Sequence, residues 1–205
     1  MKDIAFDHWQ RASYGNPDTH YMRGSAKHER TKFLFQMVNR TFSGKTGKII
    51  EFGCNNGRNL LPFYYAGWQV FGYDICYDSL LSAKDAMPSG NFLPMDLFNQ
   101  STELKKLEKN AFDVCFSMGF LMHLPESKQK KIIVDNMIRC SKFSIIYEPY
   151  RYKKIQRSDP EKKGWHLSEV DYRKYNKTFK ILKIDHKDKD NQNMKVWVYN
   201  KRGTL

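Results

Sequence analysis

Residues 48–59 read Lys-Ile-Ile-Glu-Phe-Gly-Cys-Asn-Asn-Gly-Arg-Asn, a short apolar run that ends near an acid and passes into a turn hinged by two glycines. Gly53 and Gly57 let the backbone turn tightly and approach a ligand where a Cβ would intrude. The next residues, Arg58 to Ala66, have helical spacing, so the segment predicts strand, loop and helix in succession. Two parallel strands can be joined only by a crossover, and a helix is the usual one.

The alternation continues. Gln69 to Ile75 reads as a strand and Ser79 to Met87 as a helix; then come Phe92 to Leu97 and Thr102 to Lys109, Phe112 to Met118 and Ser127 to Cys140, and the strand Phe143 to Glu148. This order predicts an α/β fold, a Rossmann-like doubly wound sheet that is mostly parallel. The last part departs from it: a short helix over Ser168 to Tyr175 precedes two β-rich runs, Phe179 to Ile184 and Met194 to Tyr199, joined by a charged turn. That is a C-terminal antiparallel hairpin. Ahead of the glycine loop, Ser25 to Phe42 carries Phe33, Leu34, Met37, Val38 and Phe42 at helical spacing, with Ser25 placed to cap it and Gly44 to end it. Trp9, Tyr14, His20 and Tyr21 lie in a polar, aromatic segment without periodicity, expected to be a lid. A chain of 205 residues holds one sizeable core, so a single domain is expected over 1–205, with lid and helix in 1–44 and the ligand-binding core in 45–205.

No apolar stretch approaches the roughly 20 residues needed to cross a bilayer, and Met1 to Trp9 lacks the apolar block of a signal peptide, so the chain is expected in the cytoplasm with no membrane partner. Cys54, Cys76, Cys115 and Cys140 lie in or beside core elements without paired short spacing, and read as buried free thiols. The six histidines, His8, His20, His28, His123, His166 and His186, lack ligand spacing, so no metal is expected. The net charge of +13, from 35 Lys plus Arg against 22 Asp plus Glu, is compatible with a polyanion-binding face. Its basic residues are dispersed, however, over Lys105-Lys106, Lys128 to Lys131, Arg151 to Arg157 and Lys162-Lys163, as solvated faces are. An anionic small molecule would be served equally well by a few of them.

A glycine-hinged loop followed about twenty residues later by an acid at a strand end, here Asp74, serves nicotinamide, flavin and S-adenosylmethionine enzymes alike. The nicotinamide loop requires a third glycine where Arg58 stands, and the chain has no room for a substrate domain. Glu51-x-Gly-x-Asn-x-Gly57, with Asp74 after the second strand, Asp96 after the third and a terminal hairpin, resembles the class I S-adenosylmethionine-dependent methyltransferases over Lys48 to Arg202. In detail, Glu-Phe-Gly-Cys-Asn-Asn-Gly-Arg-Asn-Leu-Leu and Met-Gly-Phe-Leu-Met-His-Leu-Pro look like the small methyltransferases found with bacterial sugar and polysaccharide biosynthesis.

The resemblance implies that S-adenosyl-L-methionine lies on the Gly53 to Gly57 loop, against Cys54, Asn55 and Asn59, with Glu51 near its ammonium. Asp74, followed by Ile75, would hold the ribose hydroxyls; Asp96 would accept from the adenine amino group with Leu97 against the ring. Ser117 and Met118 would border the reactive end. Tyr14, as an aromatic of the lid segment, can close over the cofactor and exclude water, or can instead anchor the terminus onto the sheet. Asn55 departs from the family's usual glycine, a mild change because asparagine tolerates left-handed backbone. Hydroxyl acceptors must lose a proton, and His123 and Glu148, at the carboxyl ends of the fourth and fifth strands, are the candidate catalytic bases. His123 can instead pack beside the site, and Glu148 can instead cap nearby amides. The expected activity is methylation, chiefly on oxygen, of a small polar metabolite such as a sugar. A nucleic-acid methyltransferase and a non-catalytic cofactor-binding protein are the alternatives; the oligomeric state is not legible.

Overall fold

Along β1 (Lys48–Phe52), β4 (Phe112–Met118) and β5 (Ser141–Tyr150) nearly every side chain is buried, because helices cover both sides of these strands. The computed structural model describes residues 29–150, 171–187 and 193–201. The remaining strands are β2 (Gln69–Asp74), β3 (Asn91–Pro94), β6 (Lys180–Lys187) and β7 (Asn193–Asn200). They form a seven-stranded sheet of order β3-β2-β1-β4-β5-β7-β6. The first five pair in parallel; β7 runs antiparallel between β5 and β6. The expected doubly wound sheet with a terminal hairpin is therefore observed, while the hairpin turn itself, 188–192, lies outside the described residues.

The apolar residues separate into two layers. Leu34 and Val38 of α1 (Glu29–Thr41), Phe63 of α2 (Leu61–Tyr65), and Leu80 and Ala83 of α3 (Tyr77–Ala86) pack with Ile49, Val114, Phe116, Ile145 and Tyr147 on one face. On the other, Ile133, Val134, Met137 and Cys140 of α4 (Lys128–Cys140) pack with Ile50, Phe52, Cys115, Ile146, Tyr172 and Trp197. Full burial of each such side chain contributes roughly 1.5–3 kcal/mol. The four cysteines are buried free thiols.

Local chemistry accounts for most element ends. Gly44, at φ +74°, donates from its amide to the Asn39 carbonyl at 2.9 Å and stops α1. Ser127 caps α4 by accepting from the Lys130 amide at 3.1 Å. Three elements differ from expectation. α2 begins at Leu61 rather than Arg58, since the chain is still turning through Gly57 and Pro62 supplies the first helical turn. Residues 101–106 and 172–174 form 3-10 turns rather than α-helices; Asp171 caps the second through the Arg173 amide at 3.0 Å. Lys130, in a run that reads as solvated, is fully buried: helical spacing places it on the face of Ile133, Val134 and Met137. Ser25, the lid with Trp9, Tyr14, His20 and Tyr21, and the basic connection with Arg151, Arg157, Trp165 and His166 lie outside the described residues. Among the described residues no helix is long and apolar enough to cross a membrane.

Candidate active site

β1 has β2 on one side and β4 on the other, so the strand order reverses beside it and a crevice opens at its carboxyl end. The loop that lines this crevice is fixed by backbone bonds. The amides of Gly53 and Cys54 both donate to the Tyr73 carbonyl, at 2.8 and 3.0 Å, and the Gly57 amide donates to the Cys54 carbonyl at 2.9 Å. Gly53, Asn55 and Gly57 have φ of +77°, +48° and +72°, so Asn55 does adopt the left-handed geometry for which asparagine is suited. Its side-chain oxygen accepts from the Asn56 amide at 2.8 Å. A Cβ on Gly53 would lie 2.3 Å from Cγ of Phe120, and one on Gly57 would lie 2.5 Å from Cε of Met87. The two glycines thus admit Phe120 above the loop and α3 beside it. Cys54 points away from the crevice, onto the face of β2 that Gly72 leaves open.

Three carboxylates occupy the carboxyl ends of β1, β2 and β3. Glu51 is fully buried; its Oε1 accepts from Asn59 Nδ2 at 2.7 Å, and Asn59 Oδ1 accepts from the Thr31 hydroxyl of α1 at 2.8 Å. Glu51 Oε2 has no hydrogen-bond partner among the described residues. Burial raises the pKa of Glu51 well above the usual carboxylate range, countered by Asn59 and Arg58. Asp74 accepts from the Asn55 amide at 2.8 Å through one oxygen and from the Cys76 amide at 2.9 Å through the other. Burial raises its pKa too, against the amides of Cys76, Asn55 and Ile75. Asp96 holds its own turn: Oδ1 accepts from the amides of Phe98 and Asn99, both at 3.0 Å, and Oδ2 from Asn99 Nδ2 at 2.7 Å. Ile75 is half-buried, whereas Leu97 is buried in the α4-side layer. Ser117 and Met118, at the end of β4, are buried.

The carboxyl ends of β4 and β5 carry the second group of candidates. Gly119 bonds to the Tyr147 carbonyl at 3.0 Å, and the chain then makes a 3-10 turn over Leu121–His123. His123 is half-buried on this turn. Glu148 lies beneath it, with Oε1 accepting from the Leu121 amide at 3.0 Å. Burial pushes the Glu148 carboxyl up to about 8, outweighing the Leu121 amide, Lys130 and the amides of Met122 and Phe120. Beside it, Lys130 Nζ contacts Glu126 Oε1 at 2.9 Å and donates to the Leu124 carbonyl at 3.3 Å. Glu126 also bonds Lys174 and the Tyr175 hydroxyl, and although burial alone would raise its pKa, these donors and Lys130 bring it to about 2. The structure therefore joins Glu51 to Asn59 and, separately, Asp74 to the Asn55 amide at neighbouring strand ends, and it sets Glu148 under the turn that carries His123; Tyr14 falls outside the described residues.

Sequence reading missed Thr31, Phe120 and Lys130. Thr31 had a signal: it is a polar residue on the stripe that contains Leu34 and Val38, and it is 1% exposed. Phe120 had none, since its contact with Gly53 joins segments distant in sequence. A polar cleft of about 470 Å³, lined by Lys48, Gln69, Asn110, Asp113 and Lys142 among others, lies at the amino ends of β1, β2 and β4, the end of the sheet away from these groups.

Residues 50–142 match the family described as "Methyltransferase domain". No curated protein sequence matches. Among solved structures, magnesium protoporphyrin IX methyltransferase from Synechocystis, with bound S-adenosylhomocysteine, superposes with a TM-score of 0.64 at 17% identity, covering 94% of this chain and 92% of that one. A TehB-like S-adenosylmethionine-dependent methyltransferase from Corynebacterium glutamicum gives 0.60 at 18% identity, covering 96% and 97%. The methyltransferase domain of bacterial CtHen1 gives 0.60 at 14%, covering 87% and 99%. At these identities the structural likeness speaks for the fold, and the sequence match, which runs from the β1 loop through α4, identifies residues 50–142 as a methyltransferase domain.

Proposed function

We propose that this methyltransferase acts on an oxygen of a small polar metabolite, a sugar or related biosynthetic intermediate, with Glu51, Asp74 and Asp96 holding the methyl donor and His123 facing the acceptor. The observation that carries the reading is the placement of three acids at the carboxyl ends of adjacent strands, one of them with an uncommitted buried oxygen. These groups fit the donor: Glu51 Oε2 suits an ammonium, and Asp74, whose two oxygens accept from backbone amides, still has lone-pair capacity for a hydroxyl. Asp96 keeps lone-pair capacity for an amino group, and Asn55, Ile75 and the backbone of Cys54 shape the wall. When bound, S-adenosylmethionine supplies a methyl group already activated by its sulfonium.

The protein's own contribution is alignment, exclusion of water and management of the acceptor's proton. His123 takes that proton. Glu148 is a positioning residue: it caps the turn that carries His123 from beneath, and its neutral carboxyl adds no charge there at neutral pH.

Calorimetry with S-adenosylhomocysteine, beside a labelled-methyl screen of nucleotide sugars, glycans and small acids, tests the reading. Asp74→Ala is expected to weaken S-adenosylhomocysteine binding about 10–100-fold, the worth of hydrogen bonds to a charged group. His123→Ala is expected to leave that binding intact and lower turnover about 10²–10⁴-fold. Binding without transfer to any small acceptor would instead favour a non-catalytic binding protein; transfer to RNA or DNA, with steep salt dependence, would replace the proposed substrate class.

A further inference from the structure

We propose that Thr31 of α1 is a positioning residue for the amino group of the methyl donor, acting through Asn59 on Glu51. The proposal rests on the reading of Glu51 as the group that receives that ammonium.

The geometry is a directed chain of two buried hydrogen bonds. The Thr31 hydroxyl has a single proton and gives it to Asn59 Oδ1 at 2.8 Å; Asn59 Nδ2 then faces Glu51 Oε1 at 2.7 Å. The three side chains are 1%, 4% and 0% exposed, so water does not compete for these bonds. The direction matters because an asparagine amide has one accepting and one donating end. With Thr31 donating, the amide nitrogen is committed to the carboxylate at Oε1, and Oε2 is left as the oxygen without a partner among the described residues. With the amide reversed, Asn59 Oδ1 would face Glu51 Oε1, two acceptors in contact away from water, an arrangement a carboxylate does not tolerate.

Thr31 also joins two parts of the fold that the backbone does not connect. It sits in the first turns of α1, ahead of Leu34 and Val38, which pack on Ile49 and Phe63, while Asn59 lies on the loop between β1 and α2. Seating of α1 thereby sets the orientation of the carboxylate that meets the donor's charge. A purely structural role would tie α1 to the sheet without discriminating among ligands, and this difference is measurable.

The test compares S-adenosylhomocysteine with 5′-methylthioadenosine, which keeps the adenosine and sulfur but lacks the amino-acid moiety, by calorimetry on the full chain. Thr31→Val, nearly isosteric but without the hydroxyl, is expected to weaken S-adenosylhomocysteine binding roughly tenfold and methylthioadenosine binding less than about twofold. Thr31→Ser, which restores the donor, is expected to bind both ligands as the parent does, and Thr31→Ala, expected to discriminate between the ligands in the same way, takes the place of Thr31→Val if the latter folds poorly. Equal weakening of both ligands by Thr31→Val and Thr31→Ala, or of neither, would overturn the relay. Glu51→Gln separates the two levels. If it discriminates between the ligands while the threonine variants do not, Thr31 alone is wrong; if it does not discriminate, the assignment of Glu51 has failed and takes the relay with it.

Discussion

A Gly53→Ala protein is expected to unfold at a much lower urea concentration than its parent and to lose affinity for S-adenosylhomocysteine. The residue sits at φ +77°, where a side chain costs about 1–2 kcal/mol. The new Cβ would also fall 2.3 Å from Cγ and 2.5 Å from Cβ of Phe120, atoms at the root of the ring that cannot swing aside as a chain end could. Overpacking of that kind costs about 1–3 kcal/mol more. The sum, about 2–5 kcal/mol, is a large part of the roughly 5–15 kcal/mol that holds a domain folded. A double-mutant cycle with Phe120→Gly isolates the contact: removing the ring together with its Cβ should relieve the clash and leave only the backbone cost, giving a coupling above about 1 kcal/mol. Additive effects in the cycle would show that Phe120 does not rest on the loop.

Glu148→Gln is expected to stabilise the protein at alkaline pH and to change it little near pH 5. The buried carboxyl is held neutral up to about 8, well above the value of an exposed glutamate, so the folded state retains a proton that the unfolded chain releases. Its stabilisation is complete below the unfolded-state pKa of about 4.3 and is lost as the pH rises through about 8, a change on the order of 3–5 kcal/mol. Glutamine keeps an oxygen for the Leu121 amide and has nothing to ionise. The groups facing this site are Lys130 from α4, the Tyr172 hydroxyl from the last 3-10 turn and the amides of Phe120, Leu121 and Met122. Urea unfolding of parent and variant at pH 5, 7 and 9 gives the result directly; parallel stability curves over that range would contradict a neutral Glu148.

The alternation of strand and helix was legible because each element declares itself within a dozen residues, through apolar period, a serine cap or a terminal glycine. Ser127 and Gly44 act where the residue type suggests they should. The loop geometry was legible for the same reason, since positive φ at Gly53, Asn55 and Gly57 is a property of those residues themselves. What stayed hidden depends on pairs brought together by folding. Lys130 reads as one more surface lysine in a basic run, and only the rotation of α4 shows that its ammonium is buried against Glu126. Glu148 reads as a crevice acid, yet whether it faces a ligand or the underside of a turn depends on where residues 121–123 cross it. Thr31 is intermediate: its place on an apolar stripe marks it as odd, but its partner, 28 positions away, cannot be named from that oddity.

The position of β7 bears on how the chain is made. Because Asn193–Asn200 lies between β5 and β6, β5 has a bare edge from the moment it leaves the ribosome until Asn200 has cleared the exit tunnel. For that interval a long, apolar strand is open to any passing β-segment, and the nascent polypeptide depends on rapid emergence or a chaperone to stay solitary.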